Sequence, residues 1–174
     1  MGWIAILSGK SSNILSEKSH KKYQHEKCVV LLDDCFCNDE VAAKLAAKGF
    51  VLDLFTKYFP RDGANNGKRE QGVKDARVIS LSHKQKMVVL TTDHRMREDH
   101  RKEFARYRQA MVVSTAHRTG SDEIWIKAFI KAKPEIERRH KRQQRPWFAK
   151  IGQDGTLTCC HTLDAGGNWV RQGI

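Results

Sequence analysis

Two short apolar runs in this sequence end in aspartate. "VVLLDDCF" (residues 29–36) has four apolar residues before Asp33 and Asp34, and "VVLTTDHR" (residues 88–95) leads through two threonines to Asp93. A short apolar run bounded by polar residues is typical of a strand buried on both faces of a parallel sheet. Because ligands bind at the carboxyl ends of parallel strands, the aspartates are predicted to converge at one edge of one sheet.

The rest of the sequence alternates strand and helix patterns around these two runs. Strands are predicted at about residues 28–33, 50–55, 87–91 and 110–113, helices over about 38–48, 73–84 and 121–130, and a closing hairpin at "WFAKIG" and "TLTCC" around the turn "QDG". This alternation predicts an α/β fold with a parallel-type central sheet flanked by helices and a C-terminal hairpin.

The chain divides into three predicted parts: an N-terminal extension at residues 1–27, a central domain at 28–152, and a last hairpin strand with its tail at 153–174. Residues 94–108 are rich in Arg and Lys and are expected to form a basic helix or a mobile arm. Pro134 is expected to open a further helix after the one ending near residue 130, because proline suits the first turn. The last ten residues are Gly-rich and are expected to fray.

Basic residues exceed acidic ones by a wide margin. Lys and Arg number 32 against 20 Asp and Glu, which gives a net charge of +12. Such an excess favours a polyanionic partner, nucleic acid first, over a basic surface that is only solvated. No apolar run approaches the ~20 residues that span a bilayer, so no membrane partner is expected. "GWIAIL" is too short for a secretory leader, so a cytoplasmic location is expected.

The cysteines do not form a recognised zinc pattern. Cys35 and Cys37 are two apart, Cys159 and Cys160 are adjacent, and the sequence holds none of the C-x2-4-C pairs that zinc sites use. Buried or inert thiols are therefore the favoured interpretation. "SGKSS" has the end of a phosphate-binding loop but carries Ile4 where the loop needs its first glycine, which excludes that motif.

A cluster of carboxylates on a basic protein favours divalent metal chemistry. Carboxylates that lie close together repel unless a cation neutralises them, and Mg²⁺ and Mn²⁺ prefer oxygen ligands. Such an ion polarises a phosphodiester while the basic surface holds the phosphate backbone, which is the arrangement of a metal-dependent nuclease. Acids after strands also cap helices and begin turns, and Asp34 or Asp39 fits that simpler role equally well.

The same residues carry a resemblance to a known family. "VVLLDDCF", "VKDARVISLSHKQKMVVLTTDHRM" and the strand and helix that follow resemble small PIN-like nucleases over about residues 28–152. The resemblance is strongest to the compact branch associated with toxin–antitoxin systems, related to Mut7-C and VapC-type domains. That branch has an apolar strand ending in Leu-Leu-Asp-Glu, an Asp opening a later helix, and a strand ending in Thr-Asn-Asp. Here Asp34 replaces the Glu, Thr92 replaces the Asn, and Arg95 and Met96 replace a later Asp-Phe.

The resemblance implies a PIN-like fold, Mg²⁺ or Mn²⁺, and RNA cleavage by a metal-dependent endoribonuclease, the toxin of a toxin–antitoxin pair. Asp33 and Asp93 would bind the metal directly, Asp75 directly or through water, and Asp34 would assist at the edge. Five cations are candidate phosphate contacts, although long cations on loops are usually just solvated: Arg61, Lys68, Arg69, Arg95 and Arg97.

Other interpretations stay open. A receiver domain also begins with an acidic pair, but it needs a phosphoacceptor Asp at the end of a central strand, where this chain has the helix pattern "DARVISLS". A non-catalytic basic nucleic-acid-binding protein with a degenerate PIN-like site would carry the same charge, and metal dependence would discriminate it from a nuclease. A partner-binding module is a third alternative. An antitoxin protein and a second copy of the chain, in a homodimer, are the further partners considered.

Overall fold

Seven strands form one mixed sheet in the part of the chain that the computed structural model describes, residues 27–34, 39–59, 75–116, 121–142 and 145–172. The order across the sheet is β2-β1-β3-β4-β5-β6-β7. The bounds are β1 Val29–Leu32, β2 Val51–Leu54, β3 Val88–Thr91, β4 Met111–Thr115, β5 Trp147–Ile151, β6 Leu157–Leu163 and β7 Trp169–Arg171. The predicted α/β class is therefore confirmed.

Helices cover both faces of this sheet. Their bounds in the described residues are α1 Asp39–Ala46, α2 Phe55–Tyr58, α3 Asp75–Gln85, α4 Met96–Asp99, α5 Arg101–Arg106 and α6 Asp122–Arg142. On one face α1 and α6 bury side chains such as Leu45 and Phe129 against Leu32. On the other face α2 to α5 bury side chains such as Ile79 and Phe104 around Leu31.

The first five strands of the sheet order run parallel. β1 pairs with both β2 and β3, β3 pairs with β4, and β4 pairs with β5. Strands covered on both faces need apolar side chains in both directions, which explains why β1, β3 and β4 read as unbroken apolar runs. Their carboxyl ends share one edge, and the chain leaves that edge through Asp33, Thr92 and Ala116.

The C-terminal hairpin is confirmed, and the sheet continues beyond it. β5 and β6 pair antiparallel around Gly155, whose φ of 81° suits glycine in the turn. The expectation that the last ten residues fray was wrong for the described part, because β7 pairs antiparallel with β6. The physical reason is Trp169, whose ring lies 5.2 Å from that of Phe104 and covers one end of the core.

Pro134 does not separate two helices, contrary to the prediction from sequence. α6 runs from Asp122 to Arg142 without a break and contains Pro134 in its interior. Proline removes one backbone hydrogen bond and costs roughly 3 kcal/mol in a helix. The apolar stripe continues on both sides of it, since Ala132 and Ile136 are both buried. The burial of that stripe offsets the cost, while Pro134 itself faces solvent.

The basic segment at residues 94–108 was predicted to form either a basic helix or a mobile arm. It forms two short helices, α4 and α5. Met96 in α4 and Phe104 in α5 are fully buried and fix the segment to the sheet. Residues 1–26 of the predicted N-terminal extension (1–27) lie outside the described residues, as do residues 60–74, Cys35 and Cys37. No helix of the described ranges is both long enough and apolar enough to cross a membrane.

Phe129→Ala should cost about 3–5 kcal/mol of the free energy of unfolding, because the side chain is 1% exposed and its loss leaves a cavity between α6 and the sheet. Ile124 lies on the same helix but is 37% exposed, so Ile124→Ala is the control and should cost less than about 1 kcal/mol. Urea unfolding followed by circular dichroism measures both. Equal losses would contradict the packing of α6 described here.

Candidate active site

The carboxyl edge of the parallel strands places Asp33 beside Thr91. The backbone N–H of Asp33 donates to the carbonyl of Leu90 at 3.0 Å, so the ladder between β1 and β3 extends one residue beyond β1. Side chains alternate along a strand, so Asp33 lies on the same face as Leu31, toward α3. The side chain is 8% exposed, which means that its polar oxygens need partners within the protein.

A single hydroxyl connects the two predicted metal ligands. Thr91 Oγ1 donates a hydrogen bond to Asp33 Oδ2 at 2.6 Å and accepts one from the backbone N–H of Asp93 at 3.0 Å. Thr91 is fully buried, so this bridge is shielded from competing water. The carboxylate of Asp33 and the backbone at Asp93 are therefore held together by Thr91.

Asp93 also begins a turn. Its Oδ1 accepts the backbone N–H of Arg95 at 2.9 Å, which shapes the entry into α4. This is the simple structural role expected of an acid after a strand. It leaves the side chain half-buried at the sheet edge, with further acceptor capacity on its oxygens.

Asp75 comes to the same edge from the start of α3. Its Oδ2 lies 3.1 Å from Nε2 of His100, whose other ring nitrogen lies 3.7 Å from Glu103 Oε2. Burial raises the pKa of Asp75 above its ordinary value, and the negative charges of Asp93 and Asp33 raise it further, while His100 opposes them. Asp33, Asp75 and Asp93 therefore form one electrostatic group, the carboxylate cluster.

Asp34 lies at the rim of the carboxylate cluster. Its backbone N–H donates to Asp33 Oδ1 at 2.8 Å, so both oxygens of Asp33 accept a hydrogen bond from the protein. Asp34 is half-buried and directly follows Asp33. The hydrogen bond from the backbone of Asp34 orients the carboxylate of Asp33.

The predicted phosphate contacts fall into two groups. Arg95, beside Asp93, is 67% exposed and lies 3.9 Å from Asp99. Arg97 is 19% exposed and turns toward the hairpin, where its guanidinium contacts Glu98 at 2.5 Å and His161 at 2.7 Å. The other three candidates, Arg61, Lys68 and Arg69, lie outside the described residues.

Sequence reasoning missed a row of polar side chains on this face. Strand register places Asp33, Thr91, Ser114 and Lys150 next to one another across β1, β3, β4 and β5. Ser114 is fully buried, and within the described residues its Oγ has no hydrogen-bond partner. In the sequence, this row is indicated only by a polar residue near the end of each apolar strand. His100 carried no such signal, because its contact with Asp75 is set by the packing of α3 against α5.

The thiols of Cys28 and Cys160 fit the inert role predicted for them. Burial, reinforced by the charge of Glu137, raises the pKa of Cys28 to about 12, so the thiol is protonated at neutral pH. Cys160 is buried on β6. Metal ligation requires the thiolate, which burial disfavours at Cys28.

The donor chemistry of the carboxylate cluster suits Mg²⁺ or Mn²⁺. Within the described ranges, no group of three or more His, Cys, Asp or Glu side chains has the arrangement of a preformed metal site. Magnesium sites commonly use one or two carboxylates and retain several waters, so a full protein cage is not needed. Burial and the charges of Asp93 and Asp33 raise the pKa of Asp75, and a bound cation would relieve the repulsion among the three carboxylates.

Comparison with protein-family models, with curated proteins and with solved structures finds no match.

Asp75→Asn should stabilise the metal-free protein at neutral pH. Because folding raises the pKa of Asp75 above its ordinary 3.8, the folded state holds the proton more tightly than the unfolded chain. Ionisation therefore removes stability as the pH rises from 3.8 through the folded pKa, and asparagine avoids this loss. We expect a gain below about 1 kcal/mol, since the side chain is 33% exposed and solvent screens it.

Urea unfolding in EDTA across the acidic to neutral range measures this effect. The gain should vanish at a pH where Asp75 is protonated in both states. Glu137→Gln is the control and should show no gain, because Glu137 lies on α6 near Cys28, at the amino ends of the strands. A variant less stable than the wild type at neutral pH, or a gain that does not depend on pH, would refute the repulsion within the carboxylate cluster.

Proposed function

We propose that this protein is a PIN-like, Mg²⁺- or Mn²⁺-dependent endoribonuclease. The observation that carries the proposal is the convergence of Asp33, Asp75 and Asp93 in one electrostatic group at the carboxyl edge of a parallel sheet. The net charge of +12 supports a polyanionic substrate. The resemblance of the motifs around these three residues to PIN-like nucleases supports RNA as that substrate.

In this proposal Asp33 and Asp93 hold the ion, and Asp75 contributes directly or through water. A divalent ion in such a site polarises the phosphodiester and lowers the pKa of bound water. Thr91 keeps Asp33 in a fixed orientation through its 2.6 Å hydrogen bond, so little reorganisation is needed when the ion binds. His100, 3.1 Å from Asp75, restricts the rotamer of that carboxylate.

Substrate contacts in the proposal come from cations near the carboxylate cluster. Arg95 is the best placed of the described candidates, because it is exposed and two residues from Asp93. Arg61, Lys68 and Arg69 stay candidates on the sequence alone. The same resemblance supports a cytoplasmic toxin that pairs with an antitoxin protein, and a homodimer belongs to this proposal as well.

A second candidate function is a non-catalytic nucleic-acid-binding protein with a degenerate PIN-like site. The observation that favours it is that each carboxylate has a structural use: Asp33 bonds Thr91, Asp93 shapes a turn and Asp75 contacts His100. Such a protein would bind RNA with a steep salt dependence, with a log–log slope of roughly −0.7 per phosphate contacted on a single strand. It would show no turnover on addition of metal.

Asp33→Asn and Asp93→Asn should each lower Mg²⁺-dependent RNA cleavage by about 1,000-fold or more, because asparagine keeps the shape but removes the charge that holds the ion. Asp75→Asn should cost less if that residue acts through water. RNA binding should persist in all three variants, since the cationic surface is unchanged. Cleavage of labelled RNA with and without Mg²⁺ or Mn²⁺ measures the rates.

Glu137→Gln is the control for this experiment and should cleave like the wild type, because Glu137 lies on α6 near Cys28, at the amino ends of the strands. Cleavage by Asp93→Asn at the wild-type rate would overturn the nuclease proposal. RNA binding without metal-dependent cleavage by the wild type would favour the second candidate instead.

A further inference from the structure

A groove of about 360 Å³ runs along the outer side of α3, between the end of α2 and the residue that follows α5. This volume lies within the range of sites that bind small organic ligands, roughly 300–1,000 Å³. The lining combines aromatic rings with cations, and its main members are Tyr58, Phe59, Arg77, Leu81, Lys84 and Tyr107. These residues line what is termed the aromatic groove.

Each aromatic ring of the groove has a cation close to it. Lys57 lies 5.1 Å from the centre of the Tyr58 ring, and Arg77 lies 5.0 Å from that of Phe59. Arg106 lies 5.6 Å from the centre of the Tyr107 ring. Proteins that hold single-stranded nucleic acids use this combination, because bases stack on the rings while cations pair with the phosphates.

Contacts within the protein fix the rings before any ligand binds. Phe59 packs against Phe55 with ring centres 4.6 Å apart, and Tyr107 lies 5.7 Å from the His83 ring. The hydroxyl of Tyr58 donates to Asp53 on β2. Side chains that are already ordered lose little freedom on binding, so the aromatic groove is preorganised for a flat ligand.

One end of the aromatic groove adjoins the carboxylate cluster. Ala76, which lines the groove, is the residue after Asp75. From there α3 carries the groove eight residues further to Lys84, a distance of about 12 Å at 1.5 Å per residue. A nucleic-acid strand with a phosphate at the carboxylate cluster can therefore place a neighbouring base in the groove.

We propose that the aromatic groove binds an unpaired nucleobase of single-stranded RNA, next to the phosphate at the carboxylate cluster. The inference deepens the proposed ribonuclease function and rests on it for the position of that phosphate. A base inside a duplex is stacked and paired on both sides, so it cannot enter the groove without being extruded. The groove therefore selects single strands over duplexes, and it does so through ring faces, without a strong preference among bases.

Fluorescence anisotropy of a labelled single-stranded RNA oligonucleotide and of the matching duplex, both in EDTA, tests this inference without cleavage. Wild-type protein should bind the single strand more tightly. Phe59→Leu and Tyr107→Leu keep apolar volume but remove the stacking ring, and each should weaken single-strand binding about tenfold while leaving duplex binding unchanged. Tyr107→Phe keeps the ring and should bind like the wild type, which separates lost stacking from lost folding.

Lys127→Gln is the charge control, because Lys127 is exposed on α6, which covers the other face of the sheet. Arg77→Gln should weaken binding of the single strand more than this control does. Wild-type affinity for the single strand in both leucine variants would overturn the groove proposal. That result is expected if a segment of the chain itself or another molecule occupies the groove.

The two proposals fail separately. Metal-dependent cleavage of RNA that is indifferent to Phe59→Leu and Tyr107→Leu would leave the nuclease standing and remove the groove. Ring-dependent binding of single strands without cleavage in Mg²⁺ or Mn²⁺ would keep the groove and remove the nuclease.

Discussion

The hydroxyl of Thr91 is the interaction on which the carboxylate cluster depends. It donates to Asp33 at 2.6 Å and accepts from the backbone of Asp93 at 3.0 Å, so one fully buried group holds the carboxylate of Asp33 and the backbone of Asp93. A carboxylate that is 8% exposed is costly unless its oxygens are hydrogen-bonded, and the bridge supplies one of those bonds. The bridge exists because β1 and β3 are neighbours, which places Asp33 opposite Thr91 one step beyond the paired residues Leu32 and Leu90. The order of strands in the sheet thus sets the geometry of the site.

The elements that could be predicted from the sequence are those whose pattern is set locally. β1, β3 and β4 are buried on both faces, so their apolar runs are unambiguous, and the turn at Gly155 has its own local signature. β7 and the continuity of α6 could not be predicted in the same way. Trp169 joins the core only because α5 presents Phe104 to it, and Pro134 is tolerated because Ile136 finds a buried position beyond it. Both outcomes depend on packing between elements distant in sequence.

In the candidate site, too, local patterns predict some residues, and packing between distant elements places the others. The placement of Asp33 and Asp93 at one edge follows from a parallel sheet, and the structure brings them together with Asp75. The contact between Asp75, the first residue of α3, and His100, the residue between α4 and α5, joins positions 25 residues apart in sequence, and no local pattern indicates it. The aromatic groove is harder to predict than the carboxylate cluster, because periodicity does not distinguish a ring that fills the core from one that faces solvent. Tyr58, Phe59 and Tyr107 meet only after α2, α3 and α5 have docked on the same face of the sheet.

A titration with Mn²⁺, followed by electron paramagnetic resonance, tests whether Thr91 and the three acids form one site for a divalent cation. We expect one saturable site in the wild type, lost in Asp33→Asn and weakened in Thr91→Val, which removes the bridge while keeping the side-chain shape. Glu137→Gln should bind Mn²⁺ like the wild type, because that acid lies near Cys28 at the amino ends of the strands. Absence of saturable binding in the wild type, or equal binding by wild type and Asp33→Asn, would contradict the account.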